Sequence, residues 1–318
     1  MIRTGVIGLG YWGPNIVRNL AGHKEFKLVA CADKIKKNRD KIIEIFPDVQ
    51  MFDSGIDLIE ASNVDAVAIA TPAIYHFDLA SHALKKGIHV LVEKPMVLKT
   101  NHAIELSSLS KKNNASLMTD HILLYSEPIK ELVRIYKKGE LGNILFFRTT
   151  RSNLGSFRPD IDVIWDIGTH ELSVLDLLFG SVPKLLHVSR GKIDKIKNTA
   201  VSTIFLEFNA KAKVTGDIHV SLFAPEKTRQ MLFCGDKKMV LFDDLDVNSP
   251  LKIFDRGVAI SGSNISYRRN LMVSPDLPAR EPLRNVLDEF RKRIVSCEFG
   301  NERGARLTNI LENISKVR

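Results

Sequence analysis

A glycine-rich turn between an apolar strand and a helix constrains the fold of this sequence most strongly. Residues 4–7 are a short apolar run that leads into Gly8-Leu9-Gly10-Tyr11-Trp12-Gly13. Pro14 then occupies the position of a first helical residue, and apolar side chains recur at helical spacing over residues 16–20. The order of strand, glycines and helix predicts the first unit of a doubly wound α/β sheet.

The three glycines of this turn have distinct expected roles in binding a dinucleotide. Gly8 allows the tight turn, Gly10 lets a pyrophosphate approach the backbone, and Gly13 lets the helix pack closely on the strand. The next apolar run, residues 26–32, ends in Asp33, twenty residues after Gly13, where a carboxylate meets the adenosine ribose hydroxyls. Because its charge repels a 2′-phosphate, Asp33 predicts NAD as the cofactor, ahead of NADP.

Three lysines follow this carboxylate closely. Lys34, Lys36 and Lys37 would soften the repulsion of a 2′-phosphate if they faced it. They equally suit the solvated face of a helix over residues 36–46, which is the interpretation that we favour.

Strand and helix signals alternate through the first 120 residues. After the first two strands they fall at residues 64–70, 76–86, 88–92, 100–112 and 116–119. This alternation predicts an α/β fold with a Rossmann-type, doubly wound parallel sheet. We therefore expect an NAD-binding domain over 1–120 and a substrate-binding and oligomerisation domain of α+β type over 121–318.

The segment Glu93-Lys94-Pro95 follows the apolar run 89–92, which is typical of a strand buried on both faces. Pro95 has no backbone N–H, so the strand ends there. Lys94 is thereby placed at the carboxyl end of a parallel strand, where open α/β sheets bind their ligands. The plain alternative is a solvated loop lysine.

Thr71 and Pro72 end the strand at 64–70, at the same edge of the predicted sheet. We predict that they line the cofactor together with His76. For His76, a polar residue at the start of a helix is the equal alternative.

The remaining 200 residues predict a second domain built on neighbouring strands with short turns. The strand signals lie at residues 144–152, 201–208, 214–222, 229–234 and 239–243. Such a pattern indicates a large, mostly antiparallel, open-faced sheet. Helices are expected at 127–138, 282–297 and 307–317, and residues 255–277 are expected to be loops.

Asp166 and His170 are four residues apart and are predicted to share one face of a helix. A buried structural hydrogen bond between them is the alternative, and a metal site is disfavoured because no third ligand is evident. Arg151, Asn153 and Arg158 precede this helix and would bind a diphosphate or a sugar carboxylate. Ordinary surface arginines are the alternative.

Four segments carry a resemblance to a known family. They are GVIGLGYWGPNIVRNL (5–20), AVAIATPAIYHFDLA (66–80), GIHVLVEKPMVL (87–98) and WDIGTHELSVLDLLFG (165–180). With them the chain resembles the glucose–fructose oxidoreductase, inositol dehydrogenase and rhizopine-catabolism family (Gfo/Idh/MocA). The GYWGPN turn, SNLG at 152–155 and WDIGTHE at 165–171 are similar to a branch that oxidises C3 of nucleotide-linked N-acetylhexosaminuronic acids, of the UDP-N-acetylglucosaminuronate type. That branch serves pathways to bacterial surface polysaccharides.

The resemblance implies roles for individual residues. Lys94 matches the lysine that contacts both the substrate hydroxyl and the nicotinamide, and Glu93 lies beside the nicotinamide ribose. His170 matches the histidine over the reacting carbon, and Asp166 faces the same side. Tyr11 and Trp12 would donate backbone N–H groups to the pyrophosphate, and His121 completes the cofactor-binding set. One departure is the segment 120–128, DHILLYSEP, which replaces the more usual glycine-histidine…tyrosine-asparagine-proline.

Together these residues predict an NAD-dependent oxidoreductase that moves a hydride between nicotinamide and a ring carbon of a nucleotide-activated sugar. The proton of the hydroxyl would leave to Lys94 or to His170, and the residues leave that choice open. Two alternatives remain: a dehydrogenase of a free sugar or inositol, and a non-catalytic regulator that binds NAD and a sugar nucleotide. The resemblance also implies a homodimer or homotetramer formed through the second domain's sheet.

Composition excludes several other classes of protein. The 318 residues are 44% hydrophobic and 26% charged, as in globular proteins, and the apolar runs are only of strand length. The net charge of +9 suits an anionic ligand, but the basic residues are dispersed, which disfavours nucleic acid. The three cysteines are far apart, which fits neither a disulfide framework nor a CxxC metal site and predicts a reducing cytoplasm.

Overall fold

The computed structural model describes residues 1–61, 63–158, 160–193, 198–261 and 264–317. The chain divides into two compact units, one of residues 1–122 and 281–312, the other of residues 123–280 and 313–318. None of the helices in the described ranges is long and apolar enough to cross a membrane.

The first unit is built on a six-stranded parallel sheet of order β3-β2-β1-β4-β5-β6. The strands are β1 (Ile2–Ile7), β2 (Phe26–Ala32), β3 (Gln50–Phe52), β4 (Ala66–Ile69), β5 (His89–Glu93) and β6 (Leu117–Asp120). The helices between them are α1 (Gly13–Ala21), α2 (Lys36–Ile43), α3 (Gly55–Ala61), α4 (His76–Lys85) and α5 (Thr100–Lys112). This strand order is that of the dinucleotide-binding doubly wound fold, as the sequence predicted.

The central strands β4 and β5 are largely buried because helices cover both faces of the sheet. Every residue of β4 is buried, and so are the three central residues of β5. The helical segment 281–312 also belongs to this unit, whereas the sequence assigned it to the second domain. In it, Phe290 of α8 (Pro282–Val295) stacks on Phe26 of β2, with ring centroids 6.2 Å apart.

The second unit contains an eight-stranded sheet of order β14-β13-β12-β11-β7-β10-β9-β8. Its strands are β7 (Ile144–Ser152), β8 (Lys184–Gly191), β9 (Val201–Asn209), β10 (Lys213–Ser221), β11 (Thr228–Gly235), β12 (Met239–Asp243), β13 (Leu251–Ser261) and β14 (Asn264–Val273). Only the pairing of β7 with β10 is parallel among these neighbours. The prediction of a mostly antiparallel sheet is therefore confirmed.

Burial alternates along the central strands of this sheet, which leaves one face on the core and the other open. The core face packs against helices α6 (Glu127–Lys137) and α7 (Thr169–Phe179), where Phe147, Phe179 and Phe208 form a cluster of rings. Helix α7 ends at Gly180, whose φ of 66° is left-handed and suits a residue without a side chain.

Three expectations from the sequence about elements after residue 160 were wrong. Residues 255–277 were expected to be loops, but β13 and β14 occupy most of that stretch. Asp166 was expected in a regular α-helix with His170, but Ile164–Gly168 is a π-helical turn that precedes α7. The last helix, α9 (Glu302–Lys316), also begins five residues before the expected 307.

Candidate functional site

The glycine turn after β1 has the backbone geometry that a close approach to a ligand requires. Gly8 has a φ of +95°, and a Cβ there would lie 2.7 Å from the Ala70 backbone. A Cβ on Gly13 would lie 2.1 Å from the Gly8 carbonyl oxygen, so only glycine lets α1 approach this turn. Gly10 instead faces open space, and the neighbouring Tyr11 is 96% exposed. This cradle fits the pyrophosphate of a dinucleotide at a helix N-terminus.

Asp33 follows β2 and connects this turn to the next loop. One carboxylate oxygen accepts the Leu9 N–H at 2.7 Å, and the other accepts the Ile35 N–H at 2.7 Å. Lys34 does not point back towards this carboxylate; its ammonium lies over the Tyr75 ring, 5.1 Å from the centroid. These two hydrogen bonds tie Asp33 to the glycine turn and to the next loop. The carboxylate oxygens retain further lone pairs that can accept a hydrogen bond from a ribose hydroxyl.

His76 is buried, and its two ring nitrogens lie 2.9 Å from the Pro95 carbonyl oxygen and 2.8 Å from the Thr71 carbonyl oxygen. The imidazole therefore joins the loop after β4 to the loop after β5, where Lys94-Pro95 is a cis peptide. This contact positions Thr71, Pro72 and Lys94 at one sheet edge. The predicted contact of His76 with a cofactor stays a prediction.

Glu93 and Asp120 are the last residues of β5 and β6 and are paired in register. Part of Glu93 reaches the surface, but its Oε1 atom is buried, as are both carboxyl oxygens of Asp120. Burial and the Asp120 charge hold the pKa of Glu93 well above its usual range. Burial also raises the pKa of Asp120, while the Glu93 carboxyl, the Trp12 indole and the Lys94 ammonium oppose that rise.

His121 follows directly after β6 and is almost fully buried. Burial, together with the charges of Arg303 and Lys94, lowers its pKa to about 3, so the ring is neutral at physiological pH. Neither ring nitrogen has a hydrogen-bond partner within the described residues. A buried neutral imidazole of this kind retains one donor and one acceptor for a polar ligand.

Asp120 and Arg303 were not recognised as site residues from the sequence. Asp120 had a usable signal, because an acidic residue ends β6 beside the strand that ends in Glu93. Arg303 had none, since it lies nearly two hundred residues further along, at the start of α9.

In the second unit, Asp166 and His170 are only partly buried, whereas Trp165, Thr169 and Glu171 around them are buried. The π-helical turn is fixed by Asp162, whose carboxylate accepts the backbone N–H groups of residues 164 and 165. The Thr169 hydroxyl donates to the Trp165 carbonyl at 2.8 Å. Both candidate catalytic side chains are therefore presented from a firmly held segment.

The three candidate substrate-binding residues differ in their surroundings. Arg151 is buried, and its Nε donates a hydrogen bond to Glu171 at 2.5 Å. Its guanidinium therefore forms an ion pair within the second unit. Arg158 is partly exposed, binds Asp160 through two hydrogen bonds of 3.1 and 2.8 Å, and has Nη1 4.0 Å from the Asp166 carboxylate. Asn153 is half-buried at the end of β7. Within the described residues no group of three or more His, Cys, Asp or Glu side chains is placed to hold a metal ion.

The glycine turn, Asp33 and the strand order define a dinucleotide-binding protein with a Rossmann fold. Residues 2–121 match the family model described as an oxidoreductase family with an NAD-binding Rossmann fold. This domain belongs to the Gfo/Idh/MocA family of oxidoreductases, as the sequence predicted.

Relatives and solved structures extend the likeness over most of the chain. The UDP-N-acetylglucosamine 3-dehydrogenase of Acidithiobacillus ferrooxidans is 26% identical over 301 residues, 93% of this chain and 89% of that protein. A crystallised enzyme of that name from this organism has a TM-score of 0.80 at 25% identity, covering 98% and 96% of the two chains. A 3-ketoreductase from Actinomadura kijaniata, in complex with TDP-benzene and NADP, has a TM-score of 0.82 at 19% identity, with 100% and 96% covered. The chain spans about half the length of several further relatives that it matches.

Proposed function

We propose that this protein is an NAD-dependent dehydrogenase that moves a hydride between nicotinamide and C3 of a nucleotide-activated sugar. One observation carries the proposal: the glycine turn, Asp33 and Lys94 lie at the carboxyl edge of one parallel sheet. A dinucleotide and a group able to exchange a proton are thereby expected at the same edge. The relative that acts on UDP-N-acetylglucosamine supports the substrate class.

NAD is the proposed cofactor because a carboxylate after the second strand, here Asp33, would repel the 2′-phosphate of NADP. The cradle at Gly8, Gly10 and Gly13 would hold the pyrophosphate, and the backbone of Tyr11 and Trp12 would donate to it. When bound, the nicotinamide would accept or supply the hydride. Calorimetric titration with NAD and NADP tests this preference, and equal affinities would contradict it.

Lys94 and His170 are the proposed acid–base groups for the sugar hydroxyl. Either side chain can take the proton as the hydride leaves the same carbon, and Asp166 would orient the imidazole. Arg158 would bind an anionic part of the substrate, either the diphosphate or a carboxylate, because a guanidinium matches both. Arg158 suits this role because it is partly exposed and lies near Asp166.

A panel of substrates tests the function directly. Nucleotide sugars, the matching free sugars and inositol are each incubated with the protein and NAD, and absorbance of reduced nicotinamide is followed. We expect turnover only with a nucleotide-linked sugar. Equal turnover of the free sugar would contradict the proposal that the substrate is nucleotide-linked. Cofactor binding without turnover of any compound would favour a non-catalytic regulator.

We further propose that the protein acts in the cytoplasm, in surface-polysaccharide biosynthesis, as a homodimer or homotetramer. The open face of the second unit's sheet is the proposed contact, and it carries Phe205, which is 39% exposed. Light scattering gives the oligomeric state, and Phe205→Lys should shift it towards monomer. A monomeric wild type would contradict this contact.

A further inference from the structure

The carboxyl groups of Glu93 and Asp120 form an acidic pair at the sheet edge that the proposed reaction does not use. Their positions are paired in register on the neighbouring parallel strands β5 and β6. Side chains at paired positions of such strands point to the same face of the sheet. The two carboxyl groups are therefore neighbours by the geometry of the sheet itself.

The pair is buried and lacks the hydrogen bonds that two carboxylates would need. Asp120 is 1% exposed, and neither of its carboxyl oxygens has a hydrogen-bond partner of full geometry among the described residues. Among these residues, Glu93 Oε1 and the Trp12 indole N–H also lack a hydrogen-bond partner of full geometry, although the indole faces Asp120. Among the described residues, the Glu93 carboxyl accepts a hydrogen bond from the Lys94 backbone N–H at 3.2 Å. Two adjacent buried carboxyl groups do not both ionise under these conditions.

The charged groups that act on the pair are few. Lys94 is the cation whose charge acts on both carboxyl groups. His121 is adjacent but neutral, and Arg303 acts on His121 from α9. Within the described part of the chain, the ammonium of Lys94 therefore balances one negative charge on the pair and leaves a second unbalanced.

We propose that Glu93 and Asp120 share one proton in the cofactor-free protein and release it when the oxidised dinucleotide binds. This inference rests on the proposed binding of a nicotinamide dinucleotide across these strand ends. In it Asp120 is a positioning residue, which acts through Glu93 and Lys94 and does not contact the substrate.

The physical reason is the positive charge of oxidised nicotinamide. In the doubly wound fold the adenosine half lies over β2, where Asp33 is, so the nicotinamide half lies over β4, β5 and β6. A positive charge near the pair favours the fully ionised form, whereas reduced nicotinamide is uncharged and does not. Binding of NAD⁺ should therefore release protons, and binding of NADH should release fewer.

The first test follows the shared proton without cofactor or turnover. The chain has two tryptophans, so Trp165→Phe leaves Trp12, beside Asp120, as the sole emitter. In this background the Trp12 emission should change with pH in one transition above the ordinary carboxyl range. Asp120→Asn and Glu93→Gln should each abolish that transition, and Asp40→Asn, which removes an exposed carboxylate paired with Lys36, should not. A transition in the ordinary range of about 3.5–4.5 would overturn the proton sharing.

The second test measures the coupling to the cofactor. Calorimetry of NAD⁺ and NADH binding in buffers of different ionisation enthalpy gives the protons released. NAD⁺ affinity should rise with pH by up to about tenfold per unit within the transition, and NADH affinity should rise less. Asp120→Asn should remove the difference.

The outcomes separate this inference from the proposed function. Equal proton release by NAD⁺ and NADH, or release that persists in Asp120→Asn, would overturn the coupling even if sugars are oxidised. If both predictions hold but no sugar nucleotide is turned over, only the proposed function fails. If Asp120→Asn does not fold, Glu93→Gln provides the same comparison from the other side of the pair. If neither cofactor binds, the coupling fails, and the Trp12 titration alone decides the proton sharing.

Discussion

At the scale of single residues, Lys94 carries the proposed chemistry. Lys94→Met keeps the length of the side chain and removes its charge and its donors. We expect turnover to fall by at least about 10²-fold, the lower range for losing a placed acid–base group. NAD affinity should change little, because Gly8–Gly13 and Asp33 hold the cofactor. Lys99→Met, at an exposed position nearby, is the matched control. Near-normal kcat at saturating substrate would show that Lys94 is only a loop lysine.

Asp120 makes the stability of the protein depend on pH. Its pKa is raised in the folded state, so the folded protein binds a proton more tightly than the unfolded chain does. The free energy of unfolding should therefore fall as pH rises from the ordinary carboxyl pKa of about 4 through the raised value. Urea unfolding at several pH values measures this slope. In Asp120→Asn the slope should be smaller, and an unchanged slope would place its cause in other groups.

Single residues also show where sequence reasoning works. The tight turn at Gly8, the close contact at Gly13 and the position of Lys94 after a strand end were predictable, because all three depend on local sequence. Burial of Arg151 against Glu171 was not predictable, because it depends on which face of β7 meets α7.

At the scale of secondary-structure elements, several strands with one buried face were predicted well, whereas β8, β13 and β14 were missed. The alternation in β7 gave its bounds from the sequence, 144–152. Nine of the ten residues of β14 are exposed, so no alternation of buried and exposed residues marks it. The early part of α9 was missed because its first turn is stabilised by a side chain: Asn301 Oδ1 accepts the Gly304 N–H at 2.9 Å.

The elements around β7 give two arginine variants with opposite expected effects. Arg158→Ala should raise the substrate KM more than it lowers kcat, as expected when uniform binding is lost. Arg151→Ala should instead destabilise the fold by about 3–5 kcal/mol, because it leaves Glu171 buried without its partner. Steady-state kinetics and urea unfolding on both variants measure this contrast. A normal KM in the Arg158→Ala variant would show that Arg158 is an ordinary surface residue.

At the scale of the whole molecule, the sequence predicted two domains but not the return of the chain to the first one. Residues 281–312 belong to the nucleotide-binding unit, where Arg18 pairs with Glu281 at 2.6 Å and Phe26 with Phe290. These contacts join positions more than 250 residues apart. A prediction made along the chain assigns residues 281–312 to the domain that precedes them in sequence. Nothing in the local sequence of this segment indicates that it packs on the first domain.

The proposed reaction uses Lys94 and His170, and a double variant tests whether the two side chains act on one step. Lys94→Met and His170→Asn should each lower kcat, and together they should lose less than the product of the two effects. The reason is that groups that act on one proton transfer are strongly non-additive, since removing either already disables the step. Single-turnover rates for the four proteins give the coupling free energy, and NAD binding checks that each variant retains its cofactor site. The matched control is Lys99→Met combined with His170→Asn, whose effects should multiply. Multiplicative losses in the Lys94 and His170 pair would mean that the two residues serve separate steps.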